Sequence, residues 1–238
     1  MMLQRRGIVV GEVEQLRQRL RALVRQAGEG AAAEGRRWSM AIPGGSVVTQ
    51  LLSAMRPDDA PWNGCDLFWV DERAVPWAAP DSNYALARAQ WLDALAHTAM
   101  RLHPIPVDAP TLQACAAAYE GTLASVLGAQ AILDLVIVGV GEDGHVASLF
   151  PGDEGALASP RLAIPVPCAP KPPPRRISLT LRTLTGARRV VVAAFGASKA
   201  LAMRAALHEG KWELPITRLL RDAARVDVLL DRAAAGED

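Results

Sequence analysis

The chain has 238 residues, 50% apolar and 21% charged, an ordinary globular balance in a chain long enough to bury a core without staples. A formal net charge of +1 with acids and bases interspersed argues against a nucleic-acid surface, and no stretch approaches the ~20 apolar residues that cross a membrane. Three scattered cysteines (Cys65, Cys115 and Cys168) form neither a disulfide framework nor a zinc spacing, and no apolar signal core opens the chain, so the expectation is a cytoplasmic protein, monomeric or weakly homodimeric.

Residues 12–27 carry Val13, Leu16, Leu20, Leu23 and Val24 at helical spacing, which predicts an amphipathic helix. Arg37–Ile42 reads as a short strand entering the turn Pro43-Gly44-Gly45, after which Ser46 is expected to cap a helix through Met55. Asp66–Val70 is a second buried strand, ending at Asp71-Glu72-Arg73. Asp81 or Ser82 then caps a helix to about Leu95, and Leu112–Leu127 is a further helix. Ile132–Val138 is the clearest strand and opens directly onto a glycine-rich loop. Arg161–Val166 and Arg176–Leu181 flank a proline-dense segment, 165–174. Arg189–Ala194, a helix from Ala197 to His208, and the strand Val226–Leu230 complete the pattern. Strands apolar throughout that alternate with helices predict an α/β fold, a Rossmann-like, mostly parallel sheet with helices on both faces. The proline segment has linker composition, but its flanking strands are expected to join the same sheet, so residues 1–238 read as one domain.

In such sheets ligands sit at the carboxyl ends of the strands, which selects the loops 43–46, 71–83, 139–151 and 196–199. Gly44, Gly45 and Ser46 join a strand to a helix, where free N–H groups suit a phosphate; a plain tight turn fits equally well. Gly139-Val140-Gly141-Glu142-Asp143-Gly144 matches the GxGxxG pattern of dinucleotide sites. Pro151-Gly152 interrupts the helix that such a site requires, however, and no acid stands near Arg161 to hold a ribose. What remains is His145 two residues after Asp143. An imidazole takes a proton from water near neutral pH, and an adjoining carboxylate orients it. His97, His103 and His208 have no such setting.

Asp71 and Arg73 follow a buried strand, where they are either a solvated strand end or groups held over the site. Lys171, Arg175, Arg176 and Lys199 add cations on loops, and Lys199 sits in the first turn of a helix, where a cation opposes the dipole. There is no GxSxG and no second metal-ligand cluster, so neither a covalent nucleophile nor a metal is expected.

Taken together, Gly44-Gly45-Ser46, the run Asp66–Arg73 with Asp81-Ser82-Asn83, the string GVGEDGHVASLFPG over 139–152, and Pro170–Thr180 resemble the 6-phosphogluconolactonases over nearly the whole chain. The resemblance implies hydrolysis of 6-phospho-D-glucono-1,5-lactone in the oxidative pentose phosphate pathway, without a cofactor. It implies that Gly44, Gly45 and Ser46 cradle the phosphate with Lys199 and Arg176, alongside Asn83 and Lys171. His145 would then activate water, Asp143 or Glu142 would steady its cation, and Arg73 would face the ligand. The oxyanion would be met by backbone N–H groups of the glycine-rich loop or by Arg73. Val47 and Val48 stand where the family commonly has Thr-Pro, and Arg175 where it has an acid or polar residue. One rival reading is a glucosamine-6-phosphate deaminase-like aldose–ketose isomerase, with Asp71 moving a carbon-bound proton. Another is a non-catalytic sugar-phosphate-binding domain.

Overall fold

The computed structural model describes residues 6–237; residues 1–5 and Asp238, which fall within the expected 1–238 domain, lie outside them. Seven strands form one parallel sheet: β1 (Arg6–Val10), β2 (Trp38–Ile42), β3 (Cys65–Trp69), β5 (Arg101–His103), β6 (Leu135–Gly139), β9 (Val190–Ala194) and β10 (Val226–Leu230), in the spatial order β1-β10-β9-β6-β2-β3-β5. Every residue of β2, β3, β9 and β10 is buried, which requires cover on both faces and explains why these segments are apolar but for Ser39, Asp66 and Asp227. The cover comes from helices that include α1 (Val13–Ala33), α2 (Ser46–Gln50), α3 (Asn83–Gln90), α4 (Leu112–Leu127) and α7 (Ala200–Arg204). Shorter helices are α5 (Glu154–Leu157), α6 (Leu181–Thr185), α8 (Pro215–Asp222) and α9 (Arg232–Ala235).

The predicted parallel α/β sheet is present, with one correction of topology. The strands on either side of the proline-dense segment do not join it. Instead β7 (Ala163–Val166) and β8 (Arg176–Leu179) pair antiparallel with each other, and β8 pairs with the short β4 (Asp71–Arg73), making a second sheet in the order β4-β8-β7. The proline segment is therefore the connection of a β7–β8 hairpin, and it carries Lys171 and Pro172 back to the mouth of a cavity. The small sheet is tied to the large one where Leu179 N–H donates to Val70 O (2.8 Å), just beyond the end of β3.

Helix ends also differ from expectation for identifiable reasons. α1 runs on through Gly28 to Ala33, and residue 28 is glycine because a Cβ there would lie 2.6 Å from the Pro61 ring. The predicted helix 46–55 is α-helical only to Gln50 and then tightens into a 3₁₀ turn, Leu52–Ala54. Gly45, with φ +64°, occupies the capping position, so Ser46 is the first helical residue rather than the cap. Ser82 does cap α3, accepting from Ala85 N–H at 3.1 Å, and that helix gives way at Trp91 to a 3₁₀ turn, Leu92–Leu95. The predicted helix 197–208 is three short pieces, a 3₁₀ turn at Ala197–Lys199, α7, and a π turn at Ala205–Glu209.

The amino ends of the strands hold three buried carboxylates, each neutralised by arginine. Asp66 accepts from Arg37 Nε (2.6 Å) and contacts His103 Nε2 (2.8 Å). Asp134 receives both terminal nitrogens of Arg36 (2.9 and 2.7 Å) and the backbone N–H of Ser39 (2.9 Å). Asp227 accepts from Arg19 (2.6 Å) and Arg189 (2.6 Å). Removing one such carboxylate strands its donors away from water. An Asp134→Ala variant is expected to lose about 2–3 kcal/mol of stability, read from the midpoint of urea unfolding. A loss below about 1 kcal/mol would mean that Arg36 and the Ser39 amide rehydrate freely.

Candidate active site

Four strands whose exit loops are rich in Gly and charge lie side by side in the order β9-β6-β2-β3. From β2 the chain proceeds to β3 and β5 on one side, and later returns to β6, β9 and β10 on the other. The β2/β6 boundary is thus a topological switch point, where adjacent loops diverge and leave a crevice. A cavity of about 310 Å³ opens there. Its lining includes Gly44, Gly45, Ser46, Asp71, Arg73, Asn83, His145, Lys171, Arg176 and Lys199, so ten of the twelve candidate residues share one space. Glu142 and Asp143 stand behind that lining.

Asp143 and Glu142, adjacent in sequence, turn to different partners. Asp143 Oδ1 lies 2.6 Å from His145 Nδ1 and also accepts from the His145 backbone N–H (3.2 Å). Glu142 does not reach the imidazole; its two oxygens face Lys171 Nζ (3.6 Å) and Lys199 Nζ (3.8 Å). Burial alone would raise the Asp143 carboxyl pKa, but the hydrogen bond and charge of His145 outweigh it and hold it down at about 2. An ionised Asp143 favours the ring proton on Nδ1, which leaves the Nε2 lone pair free to accept a proton.

The loop around this pair is held by steric and hydrogen-bond contacts. A Cβ on Gly141 would lie 2.0 Å from His145 Nδ1 and 2.5 Å from Asp143 Oδ1, so only glycine admits the pair. Gly144 has φ +81°, its carbonyl accepts from Ile216 N–H (3.1 Å), and Leu214 packs against it, so the start of α8 pins the turn from outside. The amides of Gly141 and Gly144 donate to the carbonyls of His145 and Gly141 and are spent within the loop. Phe150 lies 4.7 Å from the His145 ring, centroid to centroid.

Asp71, which also lines the cavity, is buried and accepts from Ser148 Oγ (2.6 Å), while Asn83 Nδ2 donates to the Asp71 carbonyl (2.9 Å). Ser148 is in turn fixed by its own N–H to Ser178 Oγ of β8 (3.1 Å) and follows Ala147, which is held at φ +51°. Sequence reasoning passed over Ser148, because its partners are 77 and 30 residues away. It also passed over Glu72, a buried carboxylate that accepts from the backbone amides of Arg73, Asn83 and Tyr84 and from Ser82 Oγ. Glu72 orders the start of α3 and with it Asn83. Burial pushes the Glu72 carboxyl up, against the pull of those four donors.

The two arginines are directed by carbonyls rather than neutralised by acids. Arg176, also buried, donates to the Pro173 (2.9 Å) and Lys171 (2.7 Å) carbonyls, and burial lowers its guanidinium pKa. Arg73 donates to the Asp81 carbonyl (2.7 Å), and its buried Nε has no protein partner; neither has Asn83 Oδ1. Four cations and one carboxylate, Asp71, therefore line the cavity. Such an excess of positive charge, with Arg176 buried, favours an anion. Among the described residues no group of three or more His, Cys, Asp or Glu is arranged to hold a metal ion, and no helix is long and apolar enough to cross a membrane.

A parallel α/β sheet with a carboxylate-bound histidine and a cation-lined cavity at its switch point is an architecture suited to small anionic metabolites. Residues 11–228 match the family described as glucosamine-6-phosphate isomerases/6-phosphogluconolactonase, and the chain belongs to that family. It is 37% identical over 226 residues to the 6-phosphogluconolactonase of Streptomyces coelicolor, covering 89% of this chain and 84% of that one. The solved 6-phosphogluconolactonase of Trypanosoma cruzi superposes with a TM-score of 0.84 at 26% identity, covering 99% of this chain and 97% of that one. A monomeric glucosamine-6-phosphate deaminase is similar at a TM-score of 0.75 and 20% identity, covering 98% of this chain and 100% of that one, a likeness of fold alone.

The Gly141 contact is testable without an activity. In a Gly141→Ala variant the Nδ1–Oδ1 bond is expected to break, and the ¹⁵N shifts of the His145 ring to move from a fixed tautomer to an exchanging one. Gly121→Ala, where a Cβ meets nothing within 4 Å, should leave those shifts alone. A fixed tautomer surviving in Gly141→Ala would rule out the steric account.

Proposed function

We propose that the chain is a 6-phosphogluconolactonase, converting 6-phospho-D-glucono-1,5-lactone to 6-phospho-D-gluconate in the oxidative pentose phosphate pathway, with His145 as general base. The observation that carries this reading is the 2.6 Å Asp143–His145 contact at the wall of a cation-lined cavity: a fixed base beside an anion site. The close relatives of the same name and the GEDGH-x-ASLFPG string support the same assignment.

The substrate phosphate would sit on the turn Gly44-Gly45-Ser46 with Lys199, and with Arg176 and Lys171 as further cations. Water then adds to C1 while His145 Nε2 takes its proton, and Asp143 stabilises the imidazolium. The negative charge that develops on the carbonyl oxygen falls to Arg73, since the Gly141 and Gly144 amides are already spent. Collapse of the tetrahedral intermediate breaks the bond from C1 to the ring oxygen, and the imidazolium returns its proton to that oxygen. Asp71, held by Ser148 and Asn83, lines the same cavity and would accept from sugar hydroxyls. Binding of the remote phosphate positions C1, so part of the binding energy is used in the reaction.

The decisive measurement is hydrolysis of freshly made lactone, corrected for its spontaneous rate; no acceleration over background would overturn the proposal. Given activity, His145→Ala is expected to lower turnover ~10²-fold or more, with binding of 6-phosphogluconate retained. Asp143→Asn is expected to cost ~10-fold or more, because the ring loses its orienting charge.

The pH dependence has a defined sign. A carboxyl held at about 2, below its ordinary value, adds stability that is present above the ordinary value and lost as pH falls through about 2. Asp143 therefore stays ionised from pH 7 to pH 5. If the Asp143→Asn variant had a rate profile unchanged in height over that range, Asp143 would have no part in orienting the base.

A further inference from the structure

We infer that Glu142 is a resident competitor for the anion subsite, and that it weakens the hold on product more than on substrate. The inference rests on the lactonase reading for its second half only. Glu142 is half-exposed and directs one carboxylate oxygen to each of two lysines, Lys171 (3.6 Å) and Lys199 (3.8 Å). These lysines come from unrelated parts of the chain, one from the β7–β8 connection and one from the turn after β9, and both line the cavity. Both contacts are longer than a hydrogen bond, and no other ion pair ties either lysine among the described residues. Two ammonium groups facing the two oxygens of one exposed, loosely held carboxylate form the arrangement that an incoming phosphate would take over.

Whether the carboxylate swings away or stays, an anion entering the cavity meets a cost that a neutral residue at position 142 would not impose. Hydrolysis changes the size of that cost. The lactone C1 is an uncharged ester carbon; after water adds and the ring opens, C1 is a carboxylate and a proton has left to solvent. The product thus carries one negative charge more than the substrate, and the Glu142 carboxylate beside the two lining lysines repels it more strongly. The neighbouring acid, Asp143, is taken up by His145 and cannot play this part.

The test compares Glu142→Gln with the parent protein, with circular dichroism to confirm folding. Inorganic phosphate binding, measured by calorimetry at low ionic strength, is expected to tighten on the order of 3- to 10-fold in the variant, and the difference to shrink in ~0.5 M salt. Unchanged or weaker phosphate binding would overturn the inference and make Glu142 a residue that positions the lysines. In the lactone assay the product inhibition constant is expected to fall by a larger factor than KM; equal factors would overturn the preferential effect on product. If the parent protein does not hydrolyse the lactone, the functional proposal fails, while the phosphate measurement still decides the role of Glu142.

Discussion

Everything at the candidate site depends on four parallel strands, β9, β6, β2 and β3, lying next to one another in the sheet. Parallel pairing sends the carboxyl end of each strand to the same edge, so loops more than a hundred residues apart in sequence become neighbours. The glycine turn after β2, the acid and arginine after β3, the His145 loop after β6 and Lys199 after β9 need no other device to meet. The small antiparallel sheet adds the rest. Because β8 pairs with β4 directly beyond β3, Arg176 and the Lys171 connection fold over the same edge and close one side of the cavity.

Within that frame the geometry of the base is a matter of close approach. Backbone, imidazole and carboxylate come so near at Gly141 that a single methyl group would occupy the place of the Nδ1–Oδ1 bond. The loop is not free to give way, since Gly144 is bonded to Ile216 and packed against Leu214, and Gly141 N–H is bonded to the His145 carbonyl. Rigid support of this kind fixes which ring nitrogen is free to accept a proton, which is what the base role proposed for His145 would use.

Much of this was legible in the sequence, for physical reasons that also mark the limit. Strands buried on both faces announce themselves as apolar runs, and the loops that follow them are the loops of a parallel sheet. Hence Gly44, Arg73, His145 and Lys199 could be proposed together before any contact was known. The Arg161–Val166 and Arg176–Leu181 segments were misassigned to the main sheet because a buried strand has the same composition in either sheet; only pairing distinguishes them. β1, β5 and α8 went unread: the first two are edge strands with little apolar length, and α8 is only eight residues long and opens on Pro215. That omission concealed the anchoring of Gly144. Ser148 and Glu72 were invisible for a different reason, since a serine or a glutamate has no signature of burial until its partners are in place. Between Glu142 and Asp143, spacing alone could not say which acid serves His145, and the structure separates them.

The two ends of the sheet make opposite use of charge, and this, rather than size, distinguishes the site. A larger cavity, of about 670 Å³, lies at the amino ends and is lined by Arg36, Arg37, Arg101 and Arg188 together with Asp66 and Asp134. Three of its four arginines are bonded or ion-paired to those two carboxylates. Their charge is consumed in holding strand ends together, and little field is left for a ligand. At the carboxyl ends Arg73 and Arg176 are oriented by carbonyl oxygens, which direct a guanidinium without cancelling it, and the two lysines share a single loosely held acid. A cation positioned in that way keeps its charge for a ligand at the cost of desolvation in its absence, which is the balance a phosphate site requires. The same four side chains paired with acids would give a more self-contained protein and a weaker anion site.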